Sequence, residues 1–461
     1  MINGAISHWM TREKTATRPQ LEGHIDADIC IIGAGFTGLW SAFHLTNLRP
    51  GARIIVLEKE QVGYGASGRN AGWLSPLVPG NRKAFARTAG NRQAAVRLQE
   101  RMLEAVDEVL DTIHSEGLDA QARRSGNVVV ARTPAAMQRL RARRLSDLQW
   151  GYPENEVQEL DAAAVAARVN VAQAQGGLYY PTVGRLNPGR LVLELARLCE
   201  DRGVEILEHS PVTEITAGRA TTAAGGEVRA PVVLRCTEGY SATLGKERRR
   251  IIPVNSSIVV TQPLPEQAWN EIGWNGYECL SDAAHVFSYL QKTDDGRILI
   301  GGRGNPYRFA SGTGGNGETD PHTVQALVHR LHSLFPQTTE VPIAHAWSGV
   351  LGVTRDWCAS VAYDPVNGLG HANGYAGHGV TSAYLAAKSL AELSAGKKEE
   401  DAVLPWVGHR TRNWEPEPIR WLGVHGMYRL FALADRWEEK TNAAKTSWLA
   451  RAGSHLAGLN D

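Results

Sequence analysis

The sequence predicts an α/β protein built from three parts: a doubly wound domain assembled from discontinuous segments, an interleaved mixed-sheet domain of α+β character, and a helical C-terminal extension. Three observations predict it. A β-α-β unit near the N-terminus carries Gly33-x-Gly35-x-x-Gly38 between its first strand and its helix. The α/β pattern is interrupted by long helical stretches and resumes between residues 188 and 234. The charged run Lys397-Lys398-Glu399-Glu400-Asp401 closes it, and an amphipathic stretch follows.

The elements follow from residue patterning. Asp28 to Ile32 is short, apolar and partly β-branched, as a parallel strand buried on both faces requires. Leu39, Ala42, Phe43 and Leu45 then recur at near-helical spacing, and a second strand runs from Arg53 to Leu57 and ends on Glu58. Residues 91–116 predict a helix with Val96, Leu98, Leu103, Val106, Val109, Leu110 and Ile113 close to one face. A further helical run covers 134–170, broken near Gly151-Tyr152-Pro153. A helix over 188–201, a strand at Val204–Leu207, an antiparallel excursion through Val212–Ile215 and a strand at Val232–Leu234 restore the α/β pattern. Ser257–Thr261, Val286–Leu290 and Arg297–Ile300 read as strands of a curved mixed sheet. Residues 310–317, nearly free of packing side chains, read as a mobile surface loop. Ile419, Leu422, Met427, Leu430, Phe431, Leu433 and Trp437 mark an amphipathic helix whose apolar face is expected to pack on its own chain.

Composition narrows the function classes. With 49 basic against 48 acidic residues, the formal net charge of +1 supplies no field for nucleic acid. Cys30, Cys199, Cys236, Cys279 and Cys358 are scattered, without C-x-x-C or zinc-ligand spacing, so they read as reduced thiols and no metal is expected. No apolar run is long enough to span a bilayer or serve as a signal peptide, so a cytoplasmic protein without a transmembrane segment is expected. Oligomeric state is left open by the sequence.

The glycine fingerprint passes three contextual tests. A strand precedes it, an apolar helix follows, and acidic Glu58 ends the next strand about 20 residues beyond Gly38. Gly33 permits the tight turn, Gly35 lets a pyrophosphate approach the backbone, and Gly38 lets helix and strand pack closely. The helix N-terminus turns its free amides and dipole toward the phosphates, while Glu58 can accept hydrogen bonds from ribose hydroxyls. A second glycine-rich segment, Gly63-Tyr64-Gly65-Ala66-Ser67-Gly68-Arg69-Asn70-Ala71-Gly72, offers exposed amides, with Ser67, Arg69 and Asn70 as further donors. A third, Gly374-Tyr375-Ala376-Gly377-His378-Gly379-Val380-Thr381, opens an apolar helix.

These segments resemble motifs of the D-amino-acid-oxidase-like (DAO) superfamily of FAD-dependent oxidoreductases. Trp347-Ser348-Gly349 with Thr354-Arg355-Asp356, Ile300-Gly301-Gly302-Arg303 and Thr237-Glu238-Gly239-Tyr240 extend the likeness over residues 26–396, and the pattern is most similar to gamma-glutamylputrescine oxidase-like amine oxidases. The resemblance implies a Rossmann-like FAD-binding domain over 24–82, 173–250 and 347–396, a substrate domain over 83–172 and 251–346, and a helical extension over 397–461. It implies FAD contacts from Gly33, Gly35, Phe36, Thr37, Gly38, Glu58 and Lys59, and from Gly65, Ala66, Ser67, Arg69, Asn70, Ala71 and Gly72. Val212, Thr237, Gly239, Gly349, Gly377, His378, Gly379, Val380 and Thr381 complete the set.

Departures from the family pattern carry their own implications. Arg69 stands where dimethylglycine-oxidising relatives bear the histidine that binds flavin covalently, and the cysteine that does so in sarcosine oxidases is absent before Thr354, so non-covalent FAD is expected. Thr381 replaces the lysine that holds the carboxylate in sarcosine oxidases, which disfavours a sarcosine-sized substrate. The strand Ile298–Gly301 has no counterpart of their oxygen-activating lysine, so oxidase activity is less firmly implied than substrate oxidation. The implied reaction is oxidation of the C–N bond of a primary or secondary amine or amino acid by hydride transfer to flavin N5, the imine then being hydrolysed to a carbonyl, with oxygen as the acceptor giving hydrogen peroxide. The alternatives are an amine dehydrogenase passing electrons to a quinone or protein, a nicotinamide-dependent flavin hydroxylase, for which no second fingerprint follows a strand, and a non-catalytic flavin-binding protein. A neutral amine needs a dry pocket, because desolvation favours the uncharged form. Trp73, Tyr289 and Trp347 are its candidate walls, and Arg303 and Arg355 are candidate partners for a substrate carboxylate.

Overall fold

The computed structural model describes residues 1–457, so the last four residues of the C-terminal extension lie outside the described residues. Its centre is a six-stranded sheet in the order Glu205–Leu207, Ile54–Leu57, Ile29–Ile32, Val232–Arg235, Leu369–Asn373, Ser360–Asp364. Only the last pair is antiparallel. Every residue of Ile29–Ile32 and Ile54–Leu57 is buried, which explains the unbroken apolar runs. Strand alternation sends Ile29, Ile31, Ile54 and Val56 into one core and Cys30, Ile32, Ile55 and Leu57 into another.

The first core is helical. Leu39, Trp40 and Phe43 from helix Phe36–Leu48 meet Ala383, Tyr384 and Ala387 from helix Gly379–Ser394, and the alanines let the two axes come close. Helix Pro188–Asp201 adds Leu191, Leu195 and Leu198; Asn187 caps it by accepting a hydrogen bond from the Arg190 amide at 3.1 Å. The second core is covered by a small sheet, Val212–Thr216, Arg219–Thr222, Glu227–Arg229 and His24–Asp26. The predicted antiparallel excursion is thus the lid on one whole face.

A nine-stranded mixed sheet forms the other half of the molecule. Its longest strands, Ile251–Thr261 and Ile343–Thr354, pair antiparallel along almost their full length. The sequence reading caught only the C-terminal half of the first, because Pro253 and the polar Asn255-Ser256-Ser257 interrupt its apolar pattern. Strands Gly176–Tyr180 and Ile343–Thr354 belong to this sheet, although residues 173–180 and 347–354 were expected with the dinucleotide unit. The predicted helical run 134–170 resolves into helices Pro134–Gln149 and Ala162–Arg168 separated by strand Gln158–Asp161, which pairs with Gly176–Tyr180. Pairing overrides the alanine-rich flanks there. The strand expected at Val286–Leu290 lies at Tyr289–Lys292.

Two segments behave differently from expectation. Residues 310–317 are pinned: the Asn316 carbonyl accepts from the Ile6 amide, the Gly317 carbonyl from the Ser348 amide, and the Gly315 carbonyl from the Arg69 guanidinium. Helix Ile419–Thr441 divides its apolar face. Phe431 is buried with Met427 and Leu430 beside it, whereas Ile419, Leu422, Leu433 and Trp437 are exposed. The docked side is fastened electrostatically. His285 stacks on Phe431 and lies 3.2 Å from Glu438, the Asp435 carboxylate accepts from the His285 and Val286 amides, and Arg139 reaches Glu438 at 2.7 Å. Among the described residues no helix is long and apolar enough to cross a membrane.

Candidate FAD and substrate site

At the C-terminal ends of the parallel strands, the first turn is compressed to the limit glycine allows. Gly33 has φ +103°, and a Cβ there would sit 2.7 Å from the Cys236 carbonyl oxygen. A Cβ on Gly38 would fall 1.9 Å from the Gly33 carbonyl oxygen, so helix and turn touch backbone to backbone. The Phe36 amide at the helix N-terminus donates to Ser67 Oγ at 2.8 Å, locking the second glycine-rich segment onto the first. Glu58 is set at the mouth of the same cleft by the Ala34 and Glu60 amides, which donate to its two carboxylate oxygens at 2.8 and 3.0 Å. Burial pushes its carboxyl above the ordinary range.

One continuous cleft is lined by Gly33, Gly35, Phe36, Thr37, Glu58, Lys59, Gly65, Ala66, Ser67, Asn70, Val212, Thr237, Gly239, Gly377, Gly379 and Val380. It opens at Ala66, Asn70, Leu351, Gly377 and Val380 into a second cavity of ≈ 790 Å³, which Arg69, Ala71, Gly349 and His378 also line. Gly38, Gly72 and Thr381 line neither space. Gly38 serves packing, Gly72 turns the chain at φ +71° against the Leu186 carbonyl, and Thr381 is fully buried with its hydroxyl unpartnered. An acidic residue on the second strand, a backbone cradle and two helix N-termini along one cleft are the donor set a dinucleotide requires.

Arg69 and Asn70 were expected to donate outward; the structure turns both inward. The Arg69 guanidinium donates to the carbonyls of Tyr64 (2.7 Å), Ser348 (3.0 Å) and Gly315 (3.4 Å) and lies over the Tyr64 ring. The Asn70 side chain donates to the Ala66 and Ser67 carbonyls and accepts from the Gly72 amide. Both therefore shape the loop whose backbone lines the cleft. Beneath that loop lies the N-terminal segment, whose role the sequence reading missed. Ser7 Oγ donates to the Gly68 carbonyl at 2.6 Å and the Trp9 indole to the Asn70 carbonyl at 2.9 Å.

The chain matches the family described as "FAD dependent oxidoreductase" (DAO) over residues 28–393. It belongs to that family. The gamma-glutamylputrescine oxidoreductase of Escherichia coli (strain K12) is 29% identical over 86% of this chain and 92% of its own length. The probable oxidoreductase OrdL of Haemophilus influenzae is 28% identical over 82% and 85%. Among solved structures, glycine oxidase from Geobacillus kaustophilus shares the fold with a TM-score of 0.70 at 20% identity, covering 84% of this chain and 99% of that one. L-proline dehydrogenase from P. horikoshii shares it with a TM-score of 0.65 at 17% identity, over 83% and 95%. The cofactor of this DAO protein is FAD, and the protein is an FAD-dependent oxidoreductase.

The second cavity contains three of the five residues singled out for the substrate. Trp73 and Tyr289 meet edge to face at 6.1 Å, and Tyr289 Oη is held 2.7 Å from Ser256 Oγ. Arg303 lines the same wall, and its buried Nη1 has no hydrogen-bond partner. Trp347 and Arg355 are elsewhere. Trp347 shares the strand side of Gly349 and Leu351 but is covered by the loop, its indole donating to the Arg69 carbonyl at 2.9 Å. Arg355 lies one residue past the strand end, 3.2 Å from Glu415 and over the Trp414 ring.

Two titratable groups flank the entrance to helix Gly379–Ser394. Glu238, which the sequence reading did not select, accepts the Tyr375 and Gly374 amides at 2.8 and 3.2 Å and fixes the turn before Gly377; burial pushes its carboxyl up to about 7. The imidazole of His378 is brought down to about 4, first by burial and then by the Arg143 and Arg303 guanidiniums. His378 is thus neutral at ordinary pH. A depressed folded pKa contributes stability that is present above the unfolded value of 6.5 and is lost as pH falls through about 4. Urea unfolding across that window should show His378→Asn with a pH slope flatter by as much as ~1.4 kcal/mol per pH unit, the equivalent of one proton.

Proposed function

We propose that this protein oxidises the C–N bond of an amine that carries an acidic group, with oxygen accepting the electrons. The observation that carries this reading is Arg303. Arg303 lines a cavity walled by Trp73, Phe287 and Tyr289 that shares Ala66, Asn70, Leu351, Gly377 and Val380 with the FAD cleft, and its guanidinium has no carboxylate partner among the described residues and a buried Nη1 without a hydrogen bond. A buried guanidinium without a carboxylate in the protein is suited to receive one from a ligand.

FAD, held along Gly33–Gly38, Glu58 and Gly377–Val380, supplies a hydride acceptor when bound. The rest is done by the chain. Arg303 takes the substrate's anionic group and thereby fixes which carbon faces the cleft. The aromatic walls exclude water, and the guanidinium's positive field disfavours an ammonium, so the amine binds in its neutral form. Its nitrogen lone pair then becomes the second bond of an iminium ion as hydride leaves the adjacent carbon, and loss of the N–H proton to water gives the imine. Water hydrolyses the imine to a carbonyl compound and an amine. No protein base is needed for the hydride step, and His378, with its imidazole brought down to about 4, is a weak proton acceptor at ordinary pH.

Incubation of the FAD-loaded protein with a library of acidic amines in air, with carbonyl products and peroxide measured together, tests the proposal. Equal amounts of carbonyl and peroxide are expected. Carbonyl without peroxide, formed only when a quinone or artificial acceptor is added, would replace oxygen as the acceptor and leave the amine chemistry standing.

A further inference from the structure

Beyond Arg303, the ≈ 790 Å³ cavity extends to helix Pro134–Gln149, which presents Arg143 to it. Arg143 lacks a full counter-ion. Its Nε lies 3.7 Å from Asp147, outside hydrogen-bond distance. Asp147 is already satisfied by Arg82 at 2.9 Å and by the Tyr180 hydroxyl at 2.8 Å. One carboxylate therefore faces two guanidiniums. The other acidic group on the wall, Asp282, is held by Arg330 at 2.9 Å, and Arg139 is spent on Glu438. Of the other guanidiniums on the wall, Arg69 is held by backbone carbonyls, Arg143 shares Asp147 with Arg82, and Arg303 has no carboxylate partner among the described residues.

The Arg143 guanidinium is placed rather than free. It lies over the Tyr180 ring with Cζ 5.1 Å from the centroid, and its side chain is 35% exposed. Arg143, Arg303 and His378 all line this one cavity. We propose that Arg143 forms a second anion subsite, and that the substrate is an amine bearing two carboxylates, one taken by Arg303 and a distal one by Arg143. This rests on the reading of the cavity as the amine's binding site.

Isothermal titration calorimetry of the FAD-loaded protein tests this without turnover. Glutarate, adipate and pimelate are compared with butyrate, valerate and caproate. At least one dicarboxylate is expected to bind ~10-fold or more tightly than its monocarboxylate partner, with the difference shrinking at high salt. Arg143→Gln should erase that difference while leaving monocarboxylate affinity within about two-fold, and Arg143→Lys should keep part of it. Equal affinity of the two series in the parent overturns the proposal, and that comparison needs no variant to fold. A preference that survives Arg143→Gln also overturns it. A protein that prefers dicarboxylates yet oxidises no amine contradicts the amine reading and leaves the subsite intact, so the two failures are distinguishable.

Discussion

Gly38→Ala is expected to yield protein nearly devoid of FAD. The added methyl would be placed 1.9 Å from the Gly33 carbonyl oxygen, and the obstructing atom is backbone rather than a mobile side chain. Alanine's helix propensity favours the change by ~1 kcal/mol, but overpacking costs ~1–3 kcal/mol and is paid where the cofactor's phosphates approach. Relief requires moving the helix or the turn, and either movement carries the Phe36 amide and the Ser67 hydroxyl out of register. FAD content after purification should fall at least ~10-fold, with a lowered Tm. Gly423→Ala is the matched control: it lies in helix Ile419–Thr441 with open space at the Cβ position, so flavin content should not change.

Arg303→Ala is expected to spare FAD binding and remove turnover of acidic amines. Removing one side of a buried, hydrogen-bonded charge pair costs ~2–5 kcal/mol, so kcat/KM should fall by roughly 10²-fold or more. Arg303→Lys should restore only part of it, because a point charge replaces a two-pronged donor. If the carboxylate only anchors the substrate, KM carries the loss. If it also sets the angle of the reacting carbon, kcat falls as well, and steady-state kinetics separates the two. An unchanged flavin spectrum in Arg303→Ala confirms that the cleft itself is intact.

The parts of this protein that were legible in the sequence are those where the backbone leaves no choice. Ile29–Ile32 and Ile54–Leu57 must be apolar on both faces, and the turn between Gly33 and Gly38 tolerates no Cβ at either end. Glu58 is fixed by strand length. Where side chains from distant segments converge, local pattern was silent or misleading. Arg143 lies in an alanine- and arginine-rich helical run with no motif around it, and nothing near it in sequence announces Arg303 or His378 on the same cavity. Trp347 adjoins a flavin motif in sequence yet is roofed by the Arg69 backbone. Arg355 finds its partner, Glu415, only because the chain after residue 397 returns past the strand end. The arginine of the glycine-rich loop is a subtler case. Its residue type suits phosphate, but three carbonyls reach it first.

That an amine carrying an acidic group is the electron donor to FAD in this fold can be tested by anaerobic mixing. The FAD-loaded protein is combined in turn with acidic amines, neutral amines and NADPH while the visible absorbance of the flavin is followed. Bleaching by at least one acidic amine is expected, slower in Arg303→Ala, with none by NADPH alone. Bleaching by NADPH with every amine inert would contradict it.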